Sequence, residues 1–317
     1  MSRVVLRRPA AMRSTDAVTT THYDEFGLFH ENAEEFGIEM REPPAVERVA
    51  VDVGAAGTLS ALRWGTAPPE LVLLHGGAQN AHTWDTVALA LDRPLVAIDL
   101  PGHGHSSHRE DHVYWPADNA ASVEIAVREL APGAKVLVGM SLGGLTALAL
   151  TDRAPDLVRS LVLVDVTPGV NREKSTTIAQ FIDGPEFFTS FDEILERTIQ
   201  FNPTRTESSL RRGVLHNAIE LPDGRWRWRY DLPRRGTGEG ETGSIMPGLD
   251  ELWEAVGRVK VPFLLVRGSL SPVVDDDDVA ELQRRNPAAE VVVVEGSGHS
   301  VQGDKPLELA RILAARI

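Results

Sequence analysis

Apolar residues cluster along this chain with two alternating periods. The runs ELVLLHGG (70–77), PLVAIDL (94–100), KVLVGM (135–140), SLVLVDV (160–166), VPFLLVRG (261–268) and EVVVVEG (290–296) are short, rich in β-branched residues and bounded by Gly, Pro or charge. Unbroken apolar runs of that length read as strands buried on both faces. Helix-period stretches at 81–91, 118–130, 142–153, 275–285 and 305–317 separate most of them. That alternation is the βαβ rhythm of a parallel sheet flanked by helices. Ahead of it, VERVAVDV (46–53) and LSALRWG (59–65) read as two antiparallel strands.

The rhythm stops between residue 166 and about residue 256. In its place come helix-like segments, FTSFDEILERTIQF (188–201) among them, and the run GRWRWRYDL (224–232). There Trp226, Trp228 and Tyr230 alternate with Arg225, Arg227 and Arg229, one apolar face against one charged face. We read this stretch as a mainly helical cap whose aromatic face packs its own core or lines a substrate pocket. The expected organisation is α/β: an arm at 1–44, partly disordered; a core at 45–167 and 257–317; and a cap at 168–256. The sequence has no internal repeat, low-complexity tract or apolar run long enough to span a membrane.

Composition narrows the partners. The formal net charge is −14, with 46 Asp and Glu against 32 Lys and Arg. Nucleic acid and anionic membranes are bound through excess positive charge, so a small neutral or apolar substrate is the expected partner. With no cysteine there is no disulfide framework, thiolate metal site or cysteine nucleophile. The first residues carry positive charge without the apolar core of a secretory signal, so a cytoplasmic location is expected.

Chemistry concentrates where the apolar strand at 135–140 restarts at once as an apolar helix. Ser141 sits at that break, flanked by Gly139 and Gly143 in a G-x-S-x-G pattern. The glycines allow a sharp strand-to-helix turn, which exposes the serine hydroxyl as a nucleophile would require. No Gly-rich nucleotide loop follows an early strand, which argues against a nicotinamide or ATP enzyme, and no cofactor is expected.

The order of elements and four motifs, HGG (75–77), DLPGHGHSS (99–107), GMSLGG (139–144) and GSGHS (296–300), resemble the α/β-hydrolase superfamily from about Val46 to the C-terminus. The resemblance implies a triad of Ser141, an acid and His299, with His299 taking the serine proton. In most members the acid lies in a G-x-x-D loop, which here reads Gly268-Ser269-Leu270-Ser271. A serine cannot stabilise an imidazolium. Asp165, in a V-D-x-x-P turn, resembles a subset of the superfamily that moves the acid to the strand after the elbow helix. Asp275, or a neighbour in 275–278, is the alternative acid, although acids in a first helical turn ordinarily cap it. A site without any working acid is the third possibility. The oxyanion hole would use the N–H of Leu142 and, by resemblance, that of Gly77, with Ala78 adjacent. His75 is expected to brace its loop. His103, His105, His108 and His112 fall in or just beyond a motif of the fold and do not read as a metal site.

A serine at the elbow implies acyl transfer, hence a carboxylic-ester hydrolase. Hydrolysis of a carbon–carbon bond in a diketone and cofactor-free perhydrolase chemistry share the same groups. A non-catalytic ligand receptor is the reading from another class.

Overall fold

The computed structural model describes residues 23–231 and 247–317. Its apolar runs become strands β1 (Val46–Asp52), β2 (Thr58–Trp64), β3 (Leu71–Leu74), β4 (Leu95–Ile98), β5 (Val136–Met140) and β6 (Leu161–Val164). After a separate hairpin of β7 (Ala218–Glu220) and β8 (Trp226–Trp228) come β9 (Phe263–Gly268) and β10 (Glu290–Val294). Eight strands form one sheet in the order β1-β2-β4-β3-β5-β6-β9-β10. The β1–β2 and β2–β4 pairs are antiparallel and every later pair is parallel. The long excursion between β6 and β9 leaves those two strands as direct neighbours.

Each parallel strand is apolar throughout because it feeds two cores. In β3, Val72 and Leu74 point into one cluster while Leu71 and Leu73 point into the other. The first cluster is closed by α3 (Pro116–Leu130), α4 (Leu142–Arg153), α8 (Leu249–Arg258) and α9 (Asp276–Arg285). The second is closed by α1 (Phe29–Phe36), α2 (Asp85–Leu91) and α11 (Pro306–Ala314). Burying each Leu or Val side chain contributes roughly 1.5–3 kcal/mol, so the two-faced pattern fixes the strands firmly. The chain leaves β3 toward β4 on one side and returns to β5 on the other. That reversal opens a crevice at the strands' carboxyl ends, where residues 75–77 and Ser141 emerge.

Between β6 and β9 lie α5 (Thr176–Ile182), α6 (Phe191–Phe201), α7 (Glu207–Asn217) and the hairpin. They share a third cluster containing Phe188, Ile194, Leu210, Val214, Trp228 and Tyr230, which also takes in Ala78 from the loop after β3. The alternation at 225–230 is realised: Trp228 and Tyr230 are buried, while Arg225 and Arg227 are exposed. Trp228 serves both roles considered for it, since it packs in this cluster and also lines the cavity above Ser141.

Two details depart from the expected organisation. Helix α8, assigned up to residue 256 to the cap, packs Leu249, Leu252, Ala255 and Val256 into the main core against α4 and α9. Its apolar positions recur at helical spacing, and that stripe matches the core rather than the aromatic cap. In the N-terminal arm, residues 23–44 include α1, whose Phe29 packs on Trp64 with ring centroids 4.9 Å apart. The rest of the arm expectation falls on residues 1–22, outside the described residues. The short helix α10 (Val301–Asp304) completes the set, just after His299.

Candidate active site

Strand β5 ends at Met140, and Ser141 turns the chain with φ 51° and ψ −119° before α4 begins. A non-glycine residue with positive φ is strained by about 1–3 kcal/mol and persists only where its surroundings hold it. Here the Ser141 N–H donates to Val164 O at 3.2 Å, and its carbonyl accepts from Gly144 and Leu145. The flanking glycines are obligatory for contact reasons. A Cβ on Gly139 would lie 2.2 Å from Gly143 O, and one on Gly143 would lie 2.4 Å from the carbonyls of both Leu74 and His75. Strand, elbow and helix therefore meet backbone to backbone.

Asp165 ends β6 in the same way, fully buried and with φ 53°. Its Oδ1 accepts from the Gly268 N–H at 2.9 Å, and its Oδ2 accepts from His299 Nδ1 at 2.7 Å. The Ser271 hydroxyl donates to the same Oδ2. The serine that stands where an acid is common in the superfamily thus touches the carboxylate on the neighbouring strand. Asp275 lies elsewhere: it caps α9, accepting from the Asp278 N–H at 2.9 Å, and pairs with Lys174 at 2.8 Å. Among the described residues Asp165 is the carboxylate bonded to His299. Ser141 and His299 line one cavity of about 410 Å³, with no hydrogen bond between them. Such bonds often tighten only with substrate in place.

The loop after β3 crosses directly over the elbow. A Cβ on Gly76 would meet Met140 Sδ at 2.5 Å and Ser141 Cβ at 3.2 Å. His75 braces that loop: its Nε2 accepts from the Leu100 N–H at 2.9 Å and its Nδ1 donates to Gly76 O at 2.7 Å. Burial, helped by the neighbouring His103, pushes this imidazole down to about 3 and keeps it neutral. Ala78 is held with φ 59°, its N–H donating to His103 Nε2 at 3.1 Å and its carbonyl accepting from Asn217 Nδ2 at 2.7 Å. The Ala78 N–H is therefore engaged. Among the described residues the N–H groups of Gly77 and Leu142 have no partner, and the Leu142 side chain comes within 4.0 Å of where a Gly77 Cβ would be.

Asn217 and Asn80, which donates to Asn217 Oδ1 at 3.2 Å, were not legible in the sequence. Asn217 is 139 residues from the loop it holds, and no motif marks it. Of the four clustered histidines, His103 holds the loop after β3 at Ala78, while His112 bonds Asp231 just before the undescribed stretch that follows the hairpin.

One group of side chains has the composition of a metal centre: His82, Asp85 and His216. Their arrangement is that of a proton-held stack. The two rings lie 3.8 Å apart and within 10° of parallel, so their in-plane lone pairs run side by side instead of converging. His82 faces Asp85 at 2.9 Å and Glu25 at 3.0 Å. Burial opposes its charge, but the two carboxylates outweigh burial and raise it to about 9. With both ring nitrogens of His82 turned to carboxylates and the two rings stacked, we assign no ion there.

The comparisons agree with this geometry. A family model described as alpha/beta hydrolase fold matches residues 69–306. The chain is 48% identical over 301 residues to esterase Rv0045c of Mycobacterium tuberculosis, covering 92% of this chain and 95% of that one. A crystal structure of that esterase superposes with a TM-score of 0.79 at 47% identity, covering 93% of this chain and 98% of the other. The crystal structure of E-2-(acetamidomethylene)succinate hydrolase gives a TM-score of 0.73 at 26% identity, over 86% and 98% of the two chains. Among the described residues no helix is long and apolar enough to cross a membrane. The elbow, the sheet order and these matches together make this chain a member of the α/β-hydrolase family, a hydrolase by fold and by relationship.

Proposed function

We propose that the chain hydrolyses a small carboxylic ester through an acyl-enzyme on Ser141. The observation that carries this reading is the 2.7 Å bond from His299 Nδ1 to buried Asp165. With its proton on Nδ1, the imidazole keeps its Nε2 lone pair for the serine proton. Ser141 Oγ attacks the ester carbonyl as His299 takes that proton. The oxyanion is met by the N–H groups of Gly77 and Leu142, whose freedom from other partners suits them to the task. The intermediate then collapses, the alcohol leaves with the proton from His299, and water repeats the sequence to free the acid. Asp165 faces the imidazolium as it forms and offsets its charge.

Residues 168–231 act as the cap over this site. Phe181, Phe201, Leu210, Val214 and Trp228 line the cavity from that side, which suits a mainly apolar acyl or alcohol chain. The relative named as an esterase supports ester chemistry. The test is intact-mass detection of a fluorophosphonate adduct with Ser141→Ala as control. Stoichiometric labelling lost in the variant is the expected result; folded protein that takes no label would favour a ligand receptor.

A further inference from the structure

Among the described residues one lysine and two arginines line the cavity above Ser141, and two of these three are neutralised on the spot. Lys174 pairs with Asp275 at 2.8 Å and Asp278 at 2.7 Å. Arg212 pairs with Glu35, and with Glu31 at 3.6 Å. Arg205 is different. Its Nη2 donates to Ser209 Oγ at 2.6 Å. Its Nε is sealed from solvent without any partner, and the Ser209 hydroxyl is the one side-chain group that takes a hydrogen bond from its guanidinium among the described residues. Among the described residues no carboxylate lies within ion-pair distance of it. Asp304 is the acid that most favours its charge, but the Asp304 oxygens are held by the Thr204 hydroxyl at 3.0 Å and the Gly298 N–H at 2.7 Å.

The position of this guanidinium is also defined. Arg205 follows α6 in the cap and lies flat on Gly303 of α10, where a Cβ would stand 3.0 Å from its Cζ and Nε. Gly303 is four residues beyond His299, so the charge sits where the cap meets the loop that carries the histidine. Burial works against the charge of Arg205, yet an arginine does not surrender its proton in a protein. Arg205 as a whole is half-buried, and a guanidinium left without a carboxylate at the wall of a cavity matches one on a ligand.

We propose that Arg205 is a specificity-determining residue that receives a free carboxylate on the substrate, so that the preferred ester is a monoanion, such as a half-ester of a dicarboxylic acid. The negative net charge of the whole chain does not oppose this, because long-range repulsion is screened by salt within about 10 Å whereas a partly buried contact is not. The inference rests on the ester-hydrolase reading, and its test separates the two.

The experiment compares kcat/KM for an aryl hemiglutarate and for a neutral aryl ester of matched length, in the wild-type protein and in Arg205→Gln and Arg205→Lys. The wild type should prefer the charged ester, and Arg205→Gln should lower the charged-to-neutral ratio by about 10–100-fold, mostly through KM, as loss of a charge-assisted bond does. Arg205→Lys should recover part of that ratio. A wild type without preference, or an equal fall on both substrates, would overturn the proposal. Thermal protection by the glutarate anion, present in the wild type and absent in Arg205→Gln, reads the same subsite without turnover. Protection without labelling or turnover would keep the anion site and remove the hydrolase reading.

Discussion

In the proposed mechanism Asp165 is the single residue on which the chemistry turns. It receives three donors, the Gly268 N–H, the Ser271 hydroxyl and His299 Nδ1, which fix its carboxylate against the ring whose positive charge it would offset. Asp165→Asn should therefore lower kcat by about 10⁴-fold, because the amide neither holds the tautomer nor offsets the charge. Ser271→Ala removes one of three donors, and a loss of up to about tenfold in kcat is expected. Steady-state kinetics of the two variants checks both, and a Ser271→Ala loss as deep as that of Asp165→Asn would make the serine indispensable. At this scale Ser141 and His299 were legible because each sits in a short motif. Asp165 was legible only against an alternative, Asp275. The strand and the later loop each offer an acid, and sequence spacing does not say which one the histidine ring meets.

Secondary-structure elements meet at Ala78. Helix α7 ends at Asn217, whose amide holds the Ala78 carbonyl, while Asn80 in turn holds Asn217. The strained backbone at Ala78 is thus fixed partly from the segment between β6 and β9, and in the proposed mechanism the seating of that segment is tied to the geometry of the Gly77 N–H. Asn217→Ala should lower kcat by about tenfold, in line with one lost buried hydrogen bond, and leave KM little changed. Steady-state kinetics on a neutral aryl ester would measure it; a rise in KM at constant kcat would show that Asn217 shapes the pocket instead. Elements buried on two faces were legible almost to the residue, β5 and α4 among them, because their apolar patterns have no other use. The boundary of the cap was not, since α8 resembles a cap helix until it is seen packed on α4 and α9.

For the whole molecule, two buried histidines set opposite limits on stability. His82, raised from its ordinary 6.5 to about 9, contributes stability that is fully present below pH 6.5 and is lost as pH rises toward 9. His75, lowered from 6.5 to about 3, does the reverse: the unfolded chain takes up a proton below pH 6.5 that the folded chain refuses, so stability falls as pH drops toward 3. Thermal unfolding followed from pH 4 to pH 9 should show a maximum near pH 6–7, and His82→Gln should flatten the alkaline limb. An unchanged alkaline slope in that variant would refute the role of the Glu25–His82–Asp85 cluster.

Taken alone, the sequence determined the α/β class, the strand and helix order and the sharp turn at Ser141, because local apolar period and tight glycine turns express themselves over a few residues. Only the tertiary structure decided that Asp165 is the carboxylate bonded to His299, that Asn217 holds the Ala78 carbonyl and that Arg205 stands without a carboxylate partner among the described residues. Those are contacts between segments far apart in the chain, set by how the sheet, the cap and the loops pack, and spacing along the sequence carries no measure of them.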